Sequence, residues 1–388
     1  MQYVPYQKRI LFYKSFEEEQ EDLTVALQQS LAEVLLPFYP LAGRLRSGNG
    51  VSEPALELDR TDLGVRFTQA VTSSRLSELG DFQPCEFCES LCDVECSPEF
   101  PWTPDTPLLF LQVTKFGCGG LSIGVSGSHQ IMDGVSFWHF LNSWAEFSRT
   151  GKIAHAPQVT FGYEERDPTQ AIKEVPRKPS KCSERSQELG LKHYKMDKDM
   201  IEKLKREAPG TTTFEVVCAH FWKKVVVAKG LEGSSSCNFM VLVDCRGRIK
   251  SLPSKFYFGN AIWSSVATAT VGDLARNPVS HAAALLHDAI TRFDADKAEE
   301  KFHQRRRPQA QQGSQVLGSK PCFTLVAVES PKQPVFECDF GFGRPVGMSF
   351  GANDLHDGKI YLFPLAPGSG SGVSVTVVLD KESLGRML

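Results

Sequence analysis

The sharpest chemical signal in the chain is Ser128-His129-Gln130-Ile131-Met132-Asp133-Gly134. An imidazole, with an ordinary pKa of about 6.5, can take a proton from an attacking hydroxyl or amine, and a general base contributes typically ~10²–10⁴-fold to rate. Asp133 has two open roles. It can orient the imidazole, or it can cap the helix whose apolar stripe begins beyond Gly134. Alone, H-x-x-x-D is short and common, so a satisfied polar residue at a strand end is the competing reading of His129. Nothing nearby in sequence offers a third ligand for a metal.

Two other clusters could carry chemistry. Cys85, Cys88, Cys92 and Cys96 form C-x₂-C-x₃-C-x₃-C. Four thiolates could hold zinc or an iron–sulfur cluster, but the spacing matches neither paired C-x₂-C knuckles nor a ferredoxin run. On a helix they would line one stripe, and cysteine packs as a small apolar side chain, so thiols without metal are expected. Arg305-Arg306-Arg307, with Lys301 and His303, could form an anion or localisation patch. A solvated loop is the plainer reading.

The elements that must position His129 are visible in the pattern. Leu121, Ile123 and Val125 alternate with Ser122, Gly124 and Ser126, which predicts a strand ending just before it. Phe137, Trp138, Leu141, Trp144 and Ala145 predict a helix beginning near Gly134. His129 therefore stands at a strand-to-helix junction, a rigid lip for a side chain. Upstream, Leu23, Leu27, Leu31, Val34 and Leu35 recur at helical spacing until Pro37 closes the helix, and a hairpin-like stretch follows. Strands are expected at Leu108 to Val113, Phe239 to Val243, Ile262 to Thr270, Cys322 to Val328, Lys359 to Phe363 and Val373 to Leu379. Helices are expected at Asp199 to Glu207, from Thr212 (where Thr212-Thr213-Phe214-Glu215 has capping-box spacing) and from Pro278 to Phe293. Lys301 to Lys320 reads as a polar loop.

Bulk properties bound the rest. The 388 residues, 41% hydrophobic, exceed what one core usually holds, so two lobes are expected. Residues 1–161 form the first, the Pro-rich and charged stretch 162–187 a crossover linker, and residues 188–388 the second. A net charge of −3 with interspersed signs leaves no footprint for nucleic acid. No signal peptide or membrane-length apolar run is visible, and 11 cysteines without a disulfide-scaffold pattern suit a reducing, cytoplasmic compartment.

In this setting the motifs resemble the plant BAHD acyltransferases, and within them the hydroxycinnamoyl-CoA shikimate/quinate transferase branch. The resemblance is carried by Phe38-Tyr39-Pro40-Leu41-Ala42-Gly43-Arg44-Leu45, Pro107 to Thr114, the H-x-x-x-D-G, and Phe140-Leu141-Asn142-Ser143-Trp144. It continues through Thr213-Phe214-Glu215, Val243-Asp244-Cys245-Arg246-Gly247-Arg248, Tyr257 to Ile262, and Asp339-Phe340-Gly341-Phe342-Gly343, which is similar to the family's D-F-G-W-G. It spans about Val4 to the C-terminus. Peptide-synthetase condensation domains share only H-H-x-x-x-D-G, and Ser128 replaces the first of those histidines.

The resemblance implies a mixed α/β fold of two chloramphenicol-acetyltransferase-like lobes with a channel between them. His129 would sit midway as general base, with acyl-CoA entering as co-substrate from one face and an alcohol or amine acceptor from the other. No permanent cofactor or metal is implied, and a monomer is. Asp133 would turn away from the channel and pair with Arg246, while Gly134, Asp339 and Gly341 would support the scaffold. CoA phosphates need cations and helix N-termini, for which Thr212, Thr213, Arg248 and Lys250 are candidates.

Three departures set this chain apart from the shikimate branch. Arg9 and Leu11 stand where that branch has a channel-lining serine and tyrosine, and period two puts both on one face. Val328-Glu329-Ser330 replaces T-S-W, removing a threonine donor for the developing oxyanion, a loss of the kind that costs on the order of 10²–10³ in rate. No arginine occurs between Gly313 and Gly318 to hold an acceptor carboxylate. Shikimate is therefore not the expected acceptor. Arg9 could project into the channel and grip an anionic group from the opposite wall; the plainer reading is a snorkelling edge-strand arginine. The chain also begins late relative to the family, without its leading strand. The resulting expectation is an acyltransferase moving an aromatic, hydroxycinnamoyl-like group from acyl-CoA to a hydroxyl or amine. The rival is a weakened scaffold that binds ligand or partner without turnover.

Overall fold

Tyr6–Tyr13 (β1), Leu109–Phe116 (β5) and Leu121–Ser128 (β6), buried on both faces almost throughout, build the centre of the first sheet. The computed structural model describes residues 6–14, 20–47, 56–59, 62–92, 103, 105–159, 188–252, 254–304, 322–351 and 355–387. Five strands run in the order β11-β1-β6-β5-β4, with β4 at Arg66–Thr72 and β11 at Gly347–Phe350. All adjacent pairs are antiparallel except β4 with β5. Arg44–Ser47 (β2) and Leu56–Asp59 (β3) pair separately as a small ribbon.

Helix α1 (Gln20–Leu35) buries Leu27, Leu31 and Val34 and stops ahead of Pro37, whose ring cannot continue it. Helix α3 (Gly134–Thr150) packs beside it, burying Phe137, Trp138, Leu141 and Trp144. The indole N–H of Trp144 donates to the Leu27 carbonyl at 3.3 Å. Gly151, at φ 70°, closes α3 in the left-handed conformation that glycine adopts without strain.

The second sheet has six strands in the order β7-β13-β12-β10-β8-β9. They are β7 (Leu189–Asp197), β8 (Ser236–Asp244), β9 (Ile262–Thr270), β10 (Phe323–Ala327), β12 (Lys359–Pro364) and β13 (Gly372–Asp380). Helices α4 (Lys198–Glu207), α5 (Thr213–Lys229), α6 (Val271–Arg276), α7 (Val279–Thr291), α8 (Ala295–Gln304) and α9 (Lys381–Arg386) complete this half. Thr212 and Glu215 form the capping box that their spacing predicts at the start of α5.

Period two along β12 serves two cores. Ile360 and Leu362 join the core built on α5 and α7, while Tyr361 and Phe363 join the core of the first sheet. The lobes thus share an apolar seam through β12. The architecture is mixed α/β in two lobes, as expected.

Several details differ from the sequence reading. β11 belongs by sequence to the second lobe, yet it pairs with β1 through Arg9↔Phe350 and Leu11↔Met348. β1 is therefore an internal strand, not an edge. β7 and β4 were not anticipated, because both lie at sheet edges with half-exposed patterns that blur alternation. Residues 301–304 end helix α8 instead of opening a loop. The proposed linker at 162–187, Arg305 to Arg307 and Cys96 lie outside the described residues. Among the described residues no helix is long and apolar enough to cross a membrane.

Candidate active site

His129 occupies the turn immediately after β6, at the lip foreseen from sequence, and is exposed. It lines a cavity of about 1100 Å³ whose walls come from both lobes. Residues of β1 and the His129–Val135 segment supply one wall; the end of β8, the segment after β10 and the start of α5 supply the other. Among the described residues no protein group hydrogen-bonds the imidazole. The backbone of the turn is fastened from the second lobe: the Asn260 side-chain amide donates to the carbonyls of His129 and Gln130, each at 3.0 Å.

Of the two roles open to Asp133, the structure shows the helix cap. Its Oδ1 accepts from the Ser136 backbone N–H at 2.9 Å. The same carboxylate takes Arg246 Nη2 on both oxygens at 2.9 Å, and Oδ2 accepts the Ala261 N–H at 2.9 Å. Its oxygens are thereby committed away from the imidazole. Arg246 also donates through Nε to the Tyr257 carbonyl (2.8 Å), through Nη1 to Asp244 (2.8 Å) and through Nη2 to the Gly259 carbonyl (2.8 Å). Burial alone would lower the guanidinium pKa, but Asp133 and Asp244 outweigh it and hold it above its ordinary value. The node binds the start of α3 to the loop after β8, and so fixes where His129 stands.

Arg9 reaches the same cavity, but not as a free cation. Its Nη2 is bonded to the Glu329 carboxylate, and Nη1 donates to the Lys8 carbonyl at 2.6 Å. The guanidinium lies between two rings, 5.9 Å from the Phe137 centroid and 5.7 Å from that of Phe363. Arg9 is thus neither the open anion clamp nor the snorkelling edge arginine foreseen from sequence. Leu11 is fully buried in the first core and does not line the cavity, which corrects its assignment to the channel. The shared face of β1 leaves the cavity between the two residues. Val328 and Ser330 do line it. The Val328 N–H is held by the Ile360 carbonyl at 3.1 Å, and Ser330 Oγ accepts from the Lys332 N–H at 3.3 Å.

On the other flank Thr212, Thr213 and Arg248 line the cavity, whereas Lys250 does not. The Thr212 N–H is already taken by Glu215 at 2.6 Å, so the capping box consumes one donor offered for phosphate. Burial would raise the Glu215 pKa, but hydrogen bonds from Thr212 and the contact with His287 bring it below the ordinary carboxylate value. A negative charge thus resides at this helix start. The Arg248 guanidinium lies 5.6 Å from the Phe293 ring centroid.

Asp339 and Gly341 stand apart from the cavity. Asp339 Oδ1 accepts the N–H groups of Gly341 (2.9 Å) and Gly343 (3.0 Å), in a loop whose glycines have φ of 109° and 100°. Phe340 and Phe342 of that loop pack on Tyr13 and Trp144. Cys85 caps the short helix α2 (Glu86–Ser90), Cys88 lies within it and Cys92 beyond its end, so no continuous cysteine stripe forms. Among the described residues no group of three His, Cys, Asp or Glu side chains is placed to hold a metal.

Sequence reasoning missed Asn260 and Glu329 as site residues. Asn260 lies in the matched Tyr257 to Ile262 segment, which was a usable signal. Glu329 was visible only as the middle residue of the altered tripeptide, with nothing local to mark its partner.

A family profile described as "Transferase family" matches residues 2–387. Shikimate O-hydroxycinnamoyltransferase of Nicotiana tabacum is 29% identical over 380 residues, covering 92% of this chain and 85% of that protein. Anthranilate N-benzoyltransferase protein 1 of Dianthus caryophyllus is 30% identical over 384 residues, covering 93% and 83%. The crystal structure of vinorine synthase superposes with a TM-score of 0.76 at 22% identity, covering 99% of this chain and 88% of that one.

Proposed function

We propose, from the premise that the chain belongs to the Transferase family, the BAHD acyltransferases, that it moves an aromatic acyl group from acyl-CoA to a small alcohol or amine, with His129 as general base. The imidazole takes the acceptor proton as the oxygen or nitrogen attacks the thioester carbonyl. The tetrahedral adduct then collapses with cleavage of the C–S bond. CoA leaves as the thiol, receiving the proton from the imidazolium. No metal and no covalent acyl-enzyme enters this sequence, so both substrates occupy the cavity together.

The observation that carries the reading is the exposed His129 in a cavity walled by both lobes, on a turn held by Asn260 and by the Asp133–Arg246 node. An aromatic acyl group is supported by the relatives, one named for hydroxycinnamoyl and one for benzoyl transfer, to oxygen and nitrogen respectively. Those names give no support to the rival binding-only scaffold. Thr213 and Arg248 are the better placed candidates for the CoA side. A reducing, cytoplasmic setting is supported by the nine free thiols among the described residues. A monomer follows the family resemblance.

The test is release of CoA thiol from 4-coumaroyl-CoA and benzoyl-CoA with a panel of alcohols and amines. His129→Ala should lower turnover about 10²-fold or more. Turnover unchanged in that variant, or CoA released in a burst without acceptor, overturns the mechanism.

A further inference from the structure

The Arg9–Glu329 pair joins β1 of the first sheet to the segment after β10 of the second, with side chains 8% and 2% exposed. Both residues line the cavity that His129 opens into. The Glu329 carboxylate packs against the first turn of α3: a Cβ built on Gly134 would stand 3.6 and 3.7 Å from its two oxygens. Two features follow. The pair has no net charge to offer an ion. It also leaves Arg9 Nε and Glu329 Oε2 buried without a partner among the described residues, one donor and one acceptor.

Resting on the acyl-transfer reading of the cavity, we infer that the Arg9–Glu329 pair makes the site selective for an acceptor that is uncharged where it meets β1. Its matching group is an uncharged one, a hydroxyl or a carboxamide, which meets the pair without competing for either partner. A carboxylate acceptor must compete for Arg9 with a carboxylate already in contact. An ammonium acceptor must compete for Glu329 with a guanidinium clamped between Phe137 and Phe363. Either exchange strands a desolvated charge. Of the other cations that line the cavity, Lys8 is bonded to Glu89 at 3.4 Å, and the Lys359 ammonium, on β12, lies 5.6 Å from the Tyr361 ring centroid.

The experiment measures binding rather than turnover. Calorimetry on the full chain with CoA compares three para-substituted phenols whose side arms end in a carboxamide, a carboxylate or a trimethylammonium group. The wild type should bind the carboxamide about tenfold more tightly than either ion. Arg9→Met leaves a lone carboxylate and should shift preference to the trimethylammonium phenol by about tenfold; Glu329→Gln should shift it to the carboxylate by a similar factor. Wild-type binding of an ion as tight as that of the carboxamide, no binding of any of the three, or an unchanged ranking in both variants overturns the inference. Should a variant fail to fold, the wild-type ranking decides alone. The predicted ranking without thiol release above His129→Ala would instead sink the transfer reading and keep the binding role.

Discussion

Two buried arginine–carboxylate pairs cross between the lobes, and they are built differently. Arg246 and Asp133 sit inside a closed network: the carboxylate also serves two backbone N–H groups, and the guanidinium also serves two backbone carbonyls and Asp244. Arg9 and Glu329 have each other, one backbone carbonyl and two rings, and leave polar atoms unused. The first arrangement has nothing left for a ligand and reads as scaffold. The second keeps hydrogen-bonding capacity beside the cavity. Burial and charge are alike in the two places; completeness separates them.

The sharpest way to break this comparison is to remove each pair whole. Asp133→Leu with Arg246→Met should destabilise the chain by more than about 3 kcal/mol, because four backbone groups, one of them the helix-cap N–H, lose a partner at about 1–3 kcal/mol each. Denaturant midpoints check it. Single removals come next: Arg246→Met or Arg9→Met alone leaves a desolvated carboxylate and should cost about 3–5 kcal/mol. The paired change Arg9→Met with Glu329→Leu should fall within about 1 kcal/mol of wild type, since apolar side chains of similar volume fill the site. A double-mutant loss there as large as at Asp133–Arg246 would erase the distinction. The smallest effect is in pH. Burial, the largest cause in each case, lowers the pKa of His139, His193 and His220 below the ordinary 6.5. Below pH 6.5 the unfolded chain then binds protons that the folded chain refuses, so stability falls as pH drops from there toward the depressed folded values. Thermal midpoints that rise on acidification from pH 7 to 5 would contradict this.

Local physics was readable from the residues themselves, whereas the distant pairing of Arg9 with Glu329 stayed hidden. The strand at Ile262–Thr270 is legible because alternation needs only neighbours, and α3 because its cap and stripe are adjacent in the chain. The junction carrying His129 follows from those two readings. The residues alone left Asp133 open between imidazole and helix cap, and only the family resemblance named its partner Arg246, over a hundred residues away. Arg9 was recognised as unusual, but its partner lies 320 positions along the chain and has no local signature. Leu11 failed for a related reason: period two fixes a shared face, not how far along the strand the cavity extends.

The late strand β11 has a consequence for how the chain comes to be folded. During synthesis the first sheet has its β1 hydrogen-bonding flank open until Gly347–Phe350, far along the chain from β1, leaves the ribosome. A fragment cut at residue 161 would carry that bare flank permanently, an adhesive edge for a second copy. The edge of the first sheet is therefore covered by four residues that the second half of the chain supplies.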